Sequence, residues 1–338
     1  MMEEQPLIVN PIDRVPFLDQ IRSSIPKGGA YAGWEELGQI YTAKKGFPLV
    51  VYGAPHSGKS VFVLNLLVNL SRQHGWKHLV LSSEQGSVDD LTLEISEIYL
   101  RQPVRKFDEK GNARQGVADD ASFYHAQEWV AEHFRFIDPT AERCQSFTLA
   151  DFHSWAREVE ESGFRLDTTC LDPFNDVQPE LPRFGGRQDL WLTQVLKEAR
   201  DEAAKYNRLD ILVKHIAQQQ QTMISERGQR FSPPALMSEI AGGQSTGRRA
   251  FTVLLVYRPP SNDLLKFGKH VVQTRHGESW IICQKAKPRG AAQLGQAILY
   301  YDQDTGCFCE RTDHDGKEKY YAGELRAGST PKQSDLWA

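Results

Sequence analysis

Residues 47–60 read FPLVVYGAPHSGKS, and this stretch decides the fold. Its apolar run, Pro48 to Tyr52, predicts a buried parallel strand. A loop with the spacing GxxxxGK[ST] follows from Gly53 to Ser60, and the sequence SVFVLNLLVNLSRQ then predicts a helix. A strand, a glycine-rich loop and a helix in this order form a P-loop, which binds the phosphates of a nucleotide.

Each residue type in this loop has a physical task. Glycine at positions 53 and 58 lets the backbone wrap around a phosphate with its N–H groups pointing inward. Lys59 is expected to reach the β- and γ-phosphates of ATP, and the Ser60 hydroxyl to bind Mg²⁺. The predicted nucleotide-binding residues are Gly53, Ala54, Pro55, His56, Ser57, Gly58, Lys59 and Ser60. The alternative is a glycine-rich turn that matches by accident, which is expected in roughly one chain in a hundred of this length.

The composition is that of an ordinary soluble globular protein, with 338 residues, 40% of them hydrophobic and 25% charged. The net charge of −4 argues against a protein that coats nucleic acid with its whole surface, so a nucleic-acid site must be local. Five cysteines without CxxC spacing predict reduced thiols in a cytoplasmic protein. The amino terminus lacks the apolar core of a signal peptide, and no run reaches membrane-spanning length, so no membrane contact is expected.

Apolar runs that predict strands alternate along the chain with amphipathic segments that predict helices. The predicted strands cover 48–52, 77–83, 134–137, 165–172, 209–215 and 251–257, with an antiparallel pair at 279–285 and 297–301. This alternation predicts an α/β fold with a mostly parallel central sheet and helices on both faces. The core is predicted to span residues 28–310, after an arm or linker helix over 1–27 and before a polar tail over 311–338.

Polar residues follow three of the predicted strands, at the sheet edge where ligands bind. Asp172 stands where a P-loop protein places a second Mg²⁺ ligand, although a strand-terminal aspartate can also cap a turn. Glu84 is placed to orient a water for attack on the γ-phosphate, or is a solvated glutamate. His215 is placed to bind the γ-phosphate and report its loss, or is a packed core histidine.

Two groups of cations are candidates for phosphate contacts. Lys285, Lys287 and Arg289 follow a predicted strand and are placed to complete the active site of a neighbouring subunit, or form a solvated basic turn. The long polar loops carry the candidate DNA-binding residues Arg183, Arg187, Arg227, Arg230, Lys266 and Lys269. If these loops gather on one side they form a cationic channel for single-stranded nucleic acid, whereas any one of the residues is also compatible with ordinary loop charge.

The order of several motifs resembles that of the ring-shaped replicative helicases of the DnaB–Twinkle type. The matching segments are GWEELGQIY, GAPHSGKS, LSSEQ, LDPFNDV, the GRQ before a long helix, VKHIAQQ, EIAGGQ, LVYR and QAILYYDQDTG, within about residues 31–310. The resemblance implies a RecA-like ATPase core in a homo-oligomeric, hexameric ring, with ATP between subunits and single-stranded DNA in the central hole.

The resemblance also implies roles for individual residues. Glu84 is similar to the catalytic base of that family, Asp172 to its Mg²⁺ ligand and His215 to its phosphate sensor. Arg258 and Tyr301 match the pair that holds the nucleotide base between them. The motifs are those of a helicase core without a primase region, so a primase or another replication protein is expected as a separate partner.

The sequence departs from the family pattern at two places. Phe251 stands where the family usually has an aspartate, and the Lys-x-Arg pattern of the arginine finger is met by Lys285-Ala-Lys287 or by Lys287-Pro-Arg289. We expect Arg289 to be the finger because only the second version keeps an arginine, with Lys287 as a second cation. The predicted function is ATP-driven movement on single-stranded DNA with duplex unwinding. The alternatives are a DNA-binding ATPase that acts as a nucleotide switch or loader, and a small-molecule kinase.

Overall fold

The structure is a computed structural model that describes residues 10–15, 28–108, 110–217, 221–267, 270–288, 290–311 and 319–324. Two predicted site residues, Lys269 and Arg289, lie outside the described residues. So do most of the predicted arm and most of the predicted tail.

The strands, numbered in chain order, build one large sheet and two small hairpins. They are β1 Leu49–Gly53, β2 His78–Ser82, β3 Phe134–Ile137, β4 Thr168–Asp172, β5 Leu209–His215, β6 Met223–Ile224, β7 Arg230–Phe231, β8 Thr252–Tyr257, β9 Leu264–Phe267, β10 His270–Gln273, β11 Glu278–Lys285, β12 Gly295–Asp302, β13 Cys307–Arg311 and β14 Lys319–Tyr321. Ten of them form the sheet, in the order β14-β13-β12-β11-β8-β1-β5-β4-β2-β3. The hairpins are β6 with β7 and β9 with β10.

The sheet has a parallel part and an antiparallel part that meet at β8. From β8 to β3 the neighbouring strands are parallel, which confirms the predicted mostly parallel core. The segment from β11 to β14 is an antiparallel meander added to β8, and its β11–β12 pair is the one predicted from the sequence. The carboxyl ends of β1, β2, β4, β5 and β8 therefore share one edge of the sheet, where the P-loop begins.

The helices alternate with the parallel strands. They are α1 Glu35–Ile40, α2 Lys59–His74, α3 Val88–Leu100, α4 Asp120–His133, α5 Leu149–Glu161, α6 Gln188–Tyr206 and α7 Gly243–Arg249, with short 3-10 turns at Pro11–Arg14, Glu142–Cys144, Phe174–Asp176, Leu181–Phe184 and Met237–Glu239. The starts of α3 and α5 are fixed by capping boxes, in which Ser87 pairs with Asp90 and Thr148 with Asp151.

Side chains of β1 alternate between two hydrophobic cores, which places helices on both faces of the sheet. Val51 belongs to the core that contains Phe62 of α2 and Ile95 of α3. Val50, its neighbour in sequence, belongs to the core that contains the apolar side of α6. Because successive side chains of a strand point to opposite faces, the two cores are separated by the sheet. This is the α/β architecture predicted from the sequence.

The last strand of the sheet, β14, lies within the stretch that the sequence analysis assigns to a polar tail. Lys319–Tyr321 nevertheless pairs with β13. The sequence gives little sign of this strand because its three residues form an edge rather than a buried run.

Among the described residues, no helix is long and apolar enough to cross a membrane.

Candidate nucleotide site

The P-loop connects β1 to α2 at the carboxyl edge of the sheet. A Cβ on Gly53 would lie 2.4 Å from the Val256 carbonyl oxygen and 2.6 Å from Ser57 Oγ, so a side chain cannot fit there. Gly58 has a φ of 86°, in the left-handed region that favours glycine, and directly precedes the first residue of α2. Both glycines therefore have the backbone roles that a phosphate-binding loop requires.

Lys59 is held inside this loop. Its side chain is buried, and Nζ donates a hydrogen bond of 3.0 Å to the Ala54 carbonyl oxygen. Burial lowers the pKa of Lys59, while the nearby carboxylates of Asp172 and Glu84 act in the opposite direction. Both acids that the sequence singles out are thus near enough to the lysine to oppose the effect of its burial on its pKa.

Ser60, in the first turn of α2, lies within hydrogen-bonding distance of Asp172 at the end of β4. Burial raises the pKa of Asp172 to about 6, and a hydrogen bond from the Ser60 side chain opposes that rise. Asp172 Oδ1 is buried and finds no hydrogen-bond partner among the described residues. A hydroxyl beside a carboxylate with one unsatisfied buried oxygen suits a Mg²⁺ ion, which prefers oxygen ligands and shares them with substrate phosphates.

Glu84 and His215 are hydrogen-bonded to each other. The distance between His215 Nε2 and Glu84 Oε1 is 2.7 Å. An ionised carboxylate can only accept a hydrogen bond, so the imidazole is the donor. His215 Nδ1 is buried and has no hydrogen-bond partner in the part of the chain that the structure describes. The predicted base and the predicted sensor thus form one unit beside the P-loop.

Arg258 and Tyr301 also contact each other. The Arg258 guanidinium lies 5.8 Å from the centre of the Tyr301 ring, within the range of a cation–π interaction. Arg258 is also close to the P-loop, since its Nη2 atom would lie 3.9 Å from a Cβ placed on Gly58. A nucleotide base held between the two side chains requires them to separate.

Glu94 of α3 is an additional acid near this site that the sequence analysis does not single out. Its carboxylate accepts a hydrogen bond of 3.3 Å from Gln85 Nε2, next to Glu84 in the chain. Burial raises the pKa of Glu94 to about 7, with Arg105 opposing and Asp172 contributing to the rise. In the sequence Glu94 is one acid on an amphipathic helix, so only the tertiary structure reveals its proximity to Asp172.

The cations at the end of β11 lie far from the P-loop of the same chain. Lys285 pairs with Val253, near the amino end of β8. Gly53 is the last residue of β1, and β1 runs parallel to β8, so the P-loop begins at the opposite edge of the sheet. Lys285 Nζ donates a hydrogen bond of 2.7 Å to the Gly247 carbonyl oxygen, while Lys287 is exposed. These lysines are therefore outside the nucleotide site that their own chain forms.

The three polar loops all leave the carboxyl edge of the sheet, after β4, β5 and β8. The second and third loops contact each other, because Glu226 N donates to the Leu264 carbonyl oxygen at 3.0 Å. The candidate DNA-binding side chains Arg183, Arg187, Arg227, Arg230 and Lys266 are exposed. Three of them already have acidic neighbours, in the pairs Arg183–Glu180, Arg187–Asp189 and Lys266–Glu226.

Comparison with known proteins supports the same family as the motifs. The chain is 23% identical over 291 residues to a protein of Arabidopsis thaliana described as "Twinkle homolog protein, chloroplastic/mitochondrial". The aligned region covers 83% of this chain and 36% of that protein. The chain thus spans about a third of the length of this curated relative. No family model matches the sequence.

Two solved structures have the same fold. One is an ATPase domain, with a TM-score of 0.62, 15% identity, and coverage of 88% of this chain and 97% of that one. The other is a DnaB-like replicative helicase described with its interactions with primase, with a TM-score of 0.64, 16% identity, and coverage of 87% and 66%. The resemblance expected from the motifs is therefore confirmed: the chain has the RecA-like fold of the ATPase domains of DnaB-like replicative helicases and is distantly similar in sequence to a Twinkle homologue.

Proposed function

We propose that the protein hydrolyses ATP to move along single-stranded DNA and to unwind duplex DNA, as the core of a ring-shaped helicase. The observation that carries the proposal is the convergence of Lys59, Asp172, Glu84 and His215 beside the P-loop. These residues come from four different segments of the chain, so an accidental glycine-rich turn does not account for their convergence.

Each of these residues has a distinct task in hydrolysis. ATP supplies the triphosphate and Mg²⁺ neutralises its charge when both are bound. Lys59 binds the β- and γ-phosphates, and Ser60 with Asp172 holds the metal. Glu84 orients and deprotonates the attacking water, since a carboxylate is a suitable base for this step. His215 binds the γ-phosphate and transmits its loss to the loop that follows β5.

The ring is proposed from the position of the cations. A site at one edge of the sheet and cations at the other edge suit a head-to-tail contact between copies, which closes into a ring when the rotation allows it. In such a ring, Arg289 with Lys287 acts as the finger on the ATP of the neighbouring subunit. The exposed arginines and lysines of the three loops then face the DNA strand, whose phosphates they neutralise.

Two other functions use the same fold. A nucleotide switch or loader would bind ATP and DNA without unwinding, and a small-molecule kinase would need neither DNA-facing loops nor a trans-acting cation. A separate primase is the proposed protein partner, as the solved helicase is described with one.

A strand-displacement assay on a forked duplex separates these functions. We expect the wild-type chain with ATP and Mg²⁺ to release the labelled strand, and the Lys59→Ala variant to release none because it lacks the phosphate-binding cation. ATP turnover that rises with single-stranded DNA but releases no strand would instead identify the switch. Turnover that depends only on a small-molecule acceptor would identify the kinase.

A further inference from the structure

The segment that carries Glu84 joins the end of β2 at Ser82 to the start of α3 at Val88. It adopts neither helix nor strand, and the side chain of Glu84 is exposed. A base on such a segment acts on one water molecule only if the surrounding contacts hold it in place, since a displacement of about 1 Å can cost on the order of a hundredfold in rate. The contacts of this segment therefore decide how well Glu84 is placed.

Ser83, the residue before Glu84, is attached to the segment that follows β4. Its hydroxyl donates a hydrogen bond of 2.5 Å to Asp176 Oδ2, and its N–H donates one of 3.0 Å to the Asp172 carbonyl oxygen. Asp176 is the last residue of a short 3-10 turn. The buried Phe174, in the same turn, belongs to the hydrophobic core that contains the apolar side of α6. The acid that holds Ser83 is thus on an ordered support.

Gln85, the residue after Glu84, is attached to α3. Its Nε2 atom donates a hydrogen bond of 3.3 Å to Glu94 Oε2, and its Oε1 atom accepts one of 3.4 Å from the hydroxyl of the buried Ser82. Glu94 lies in the second turn of α3, directly after the turn that the capping box fixes. Both polar atoms of the Gln85 amide are therefore engaged, and two elements of the fold set its orientation.

We propose that Asp176 and Glu94 are positioning residues that hold the proposed base, Glu84, from both sides through its neighbours in the chain. The inference rests on the proposed function, because it takes Glu84 as the base of ATP hydrolysis. Two carboxylates on different elements accept hydrogen bonds from the residues directly before and after Glu84. Since successive Cα atoms are about 3.8 Å apart, fixing both neighbours leaves the Glu84 backbone little freedom.

A direct role for Glu94 as a base is the rival explanation. Burial raises the pKa of its carboxyl to about 7, a value that suits a general base. The geometry favours positioning, because Glu94 accepts a hydrogen bond from Gln85 and Asp176 makes the equivalent contact on the other side of Glu84. The two roles are separable, since glutamine at position 94 keeps an acceptor for Gln85 but cannot take up a proton.

The test compares the double variant Glu94→Ala/Asp176→Ala with the control Glu128→Ala/Glu132→Ala, which removes two exposed carboxylates of α4. Steady-state ATP turnover, binding of a fluorescent ATP analogue and urea unfolding are measured for both. We expect the double variant to keep its nucleotide affinity within about twofold of wild type and to lose at least about tenfold in kcat, because the base is misplaced while the P-loop is intact. The control should keep both quantities.

Conservative variants distinguish positioning from a need for charge or for a base. Glu94→Gln and Asp176→Asn keep a carbonyl oxygen that accepts the hydrogen bond, so each should keep kcat within about threefold of wild type. Ser83→Ala/Gln85→Ala removes the same two hydrogen bonds from the other side. It should lower kcat as the double variant does, and it tests the proposal even if the carboxylate variant fails to fold. A loss in Glu94→Gln as large as in Glu94→Ala overturns the proposal.

A further comparison asks whether the effect passes through Glu84. In the Glu84→Gln background the two alanine substitutions should lower the residual single-turnover rate by less than about twofold, since the base that they position is already absent. An additional loss of about tenfold there would mean that the acids act on another part of the protein, and would overturn the proposal. A double variant whose kcat equals that of the control would overturn it as well.

The same measurements separate this proposal from the proposed function. A double variant with a low kcat, in a chain whose turnover ignores single-stranded DNA, would refute the helicase and support the positioning role. Normal turnover of Glu84→Gln would refute Glu84 as the base, and the positioning role with it. A slow Glu84→Gln variant together with an unaffected double variant would refute the positioning role alone.

Discussion

His215 Nε2 donates a hydrogen bond of 2.7 Å to Glu84 Oε1, so the proposed phosphate sensor holds the proposed base. The two residues belong to segments that are separated in the sheet by β4, at whose end Asp172 lies. One imidazole N–H cannot serve a carboxylate and a phosphate oxygen equally well. We therefore propose that a γ-phosphate that takes the His215 hydrogen bond frees Glu84 to bind water, which would link the arrival of ATP to activation of the base.

Replacing Glu84 by glutamine separates hydrolysis from binding. Glutamine keeps the size and the hydrogen-bonding capacity of the side chain but cannot accept the proton of the attacking water. We expect ATP turnover to fall at least about a hundredfold, with nucleotide affinity nearly unchanged. Steady-state kinetics and fluorescent nucleotide binding measure the two quantities. An equal loss of both would show that Glu84 has a structural role.

Asp172 should destabilise the nucleotide-free protein near neutral pH. Its pKa is raised from an ordinary 3.8 to about 6 by burial, so the folded state holds the proton more tightly than the unfolded state. This contribution to stability is present below about pH 4 and is lost as the pH rises through 6. At pH 7.5, Asp172→Asn should raise the free energy of unfolding by about 1–3 kcal/mol.

Urea denaturation of the nucleotide-free protein at several pH values measures this effect. The gain from Asp172→Asn should shrink between pH 6 and pH 4, and the exposed Asp201→Asn should give no comparable gain. With Mg²⁺ and ATP the order should reverse, because only the wild-type carboxylate binds the metal strongly. A variant that is less stable than wild type at pH 7.5 without ligand contradicts this account.

Lys214 destabilises the protein at neutral pH relative to alkaline pH. Its side chain is buried, with Nζ 4.4 Å from the centre of the Phe174 ring, and burial lowers its pKa to about 7. A lowered pKa contributes stability above the ordinary pKa of the group, and this stability is lost as the pH falls toward the folded value. Lys214→Met should therefore stabilise the protein at pH 6.5, by roughly 2 kcal/mol.

The pH dependence of that gain is the informative measurement. Thermal or urea unfolding should show the Lys214→Met gain decreasing steadily between pH 7 and pH 10. The exposed Lys205→Met, on the surface of α6, is the matched control and should change little at any pH. A gain that is the same at both ends of the range would mean that packing, rather than the buried charge, is responsible.

Local sequence signals predict the parallel core well. The limits of β5 agree with the strand predicted over 209–215, because a buried apolar run is a strong signal. The strand β13 is not predicted, although Cys307, Phe308 and Cys309 are buried in it. It is short and antiparallel, and its pairing with β12 is a tertiary feature that a pattern along the chain does not reveal.

The site is predicted residue by residue but not as an arrangement. The ends of β2, β4 and β5 mark Glu84, Asp172 and His215 as neighbours of a nucleotide, yet only the strand order brings Glu84 into contact with His215. Lys285 and Lys287 are singled out from the sequence as cations, yet the cavity that they line also includes Arg200 of α6 and Arg249 of α7, which nothing in the sequence connects to them. Charge that gathers from distant segments is visible only after folding.

The rate of ATP hydrolysis with and without single-stranded DNA tests the central claim most directly. We expect turnover that depends on Mg²⁺ and rises severalfold or more when single-stranded DNA is added. We also expect Lys59→Ala to remove both the basal and the stimulated rate, because that lysine is the residue proposed to bind the β- and γ-phosphates. Turnover that single-stranded DNA leaves unchanged, or that persists at the wild-type rate in Lys59→Ala, would contradict an ATP-driven DNA translocase.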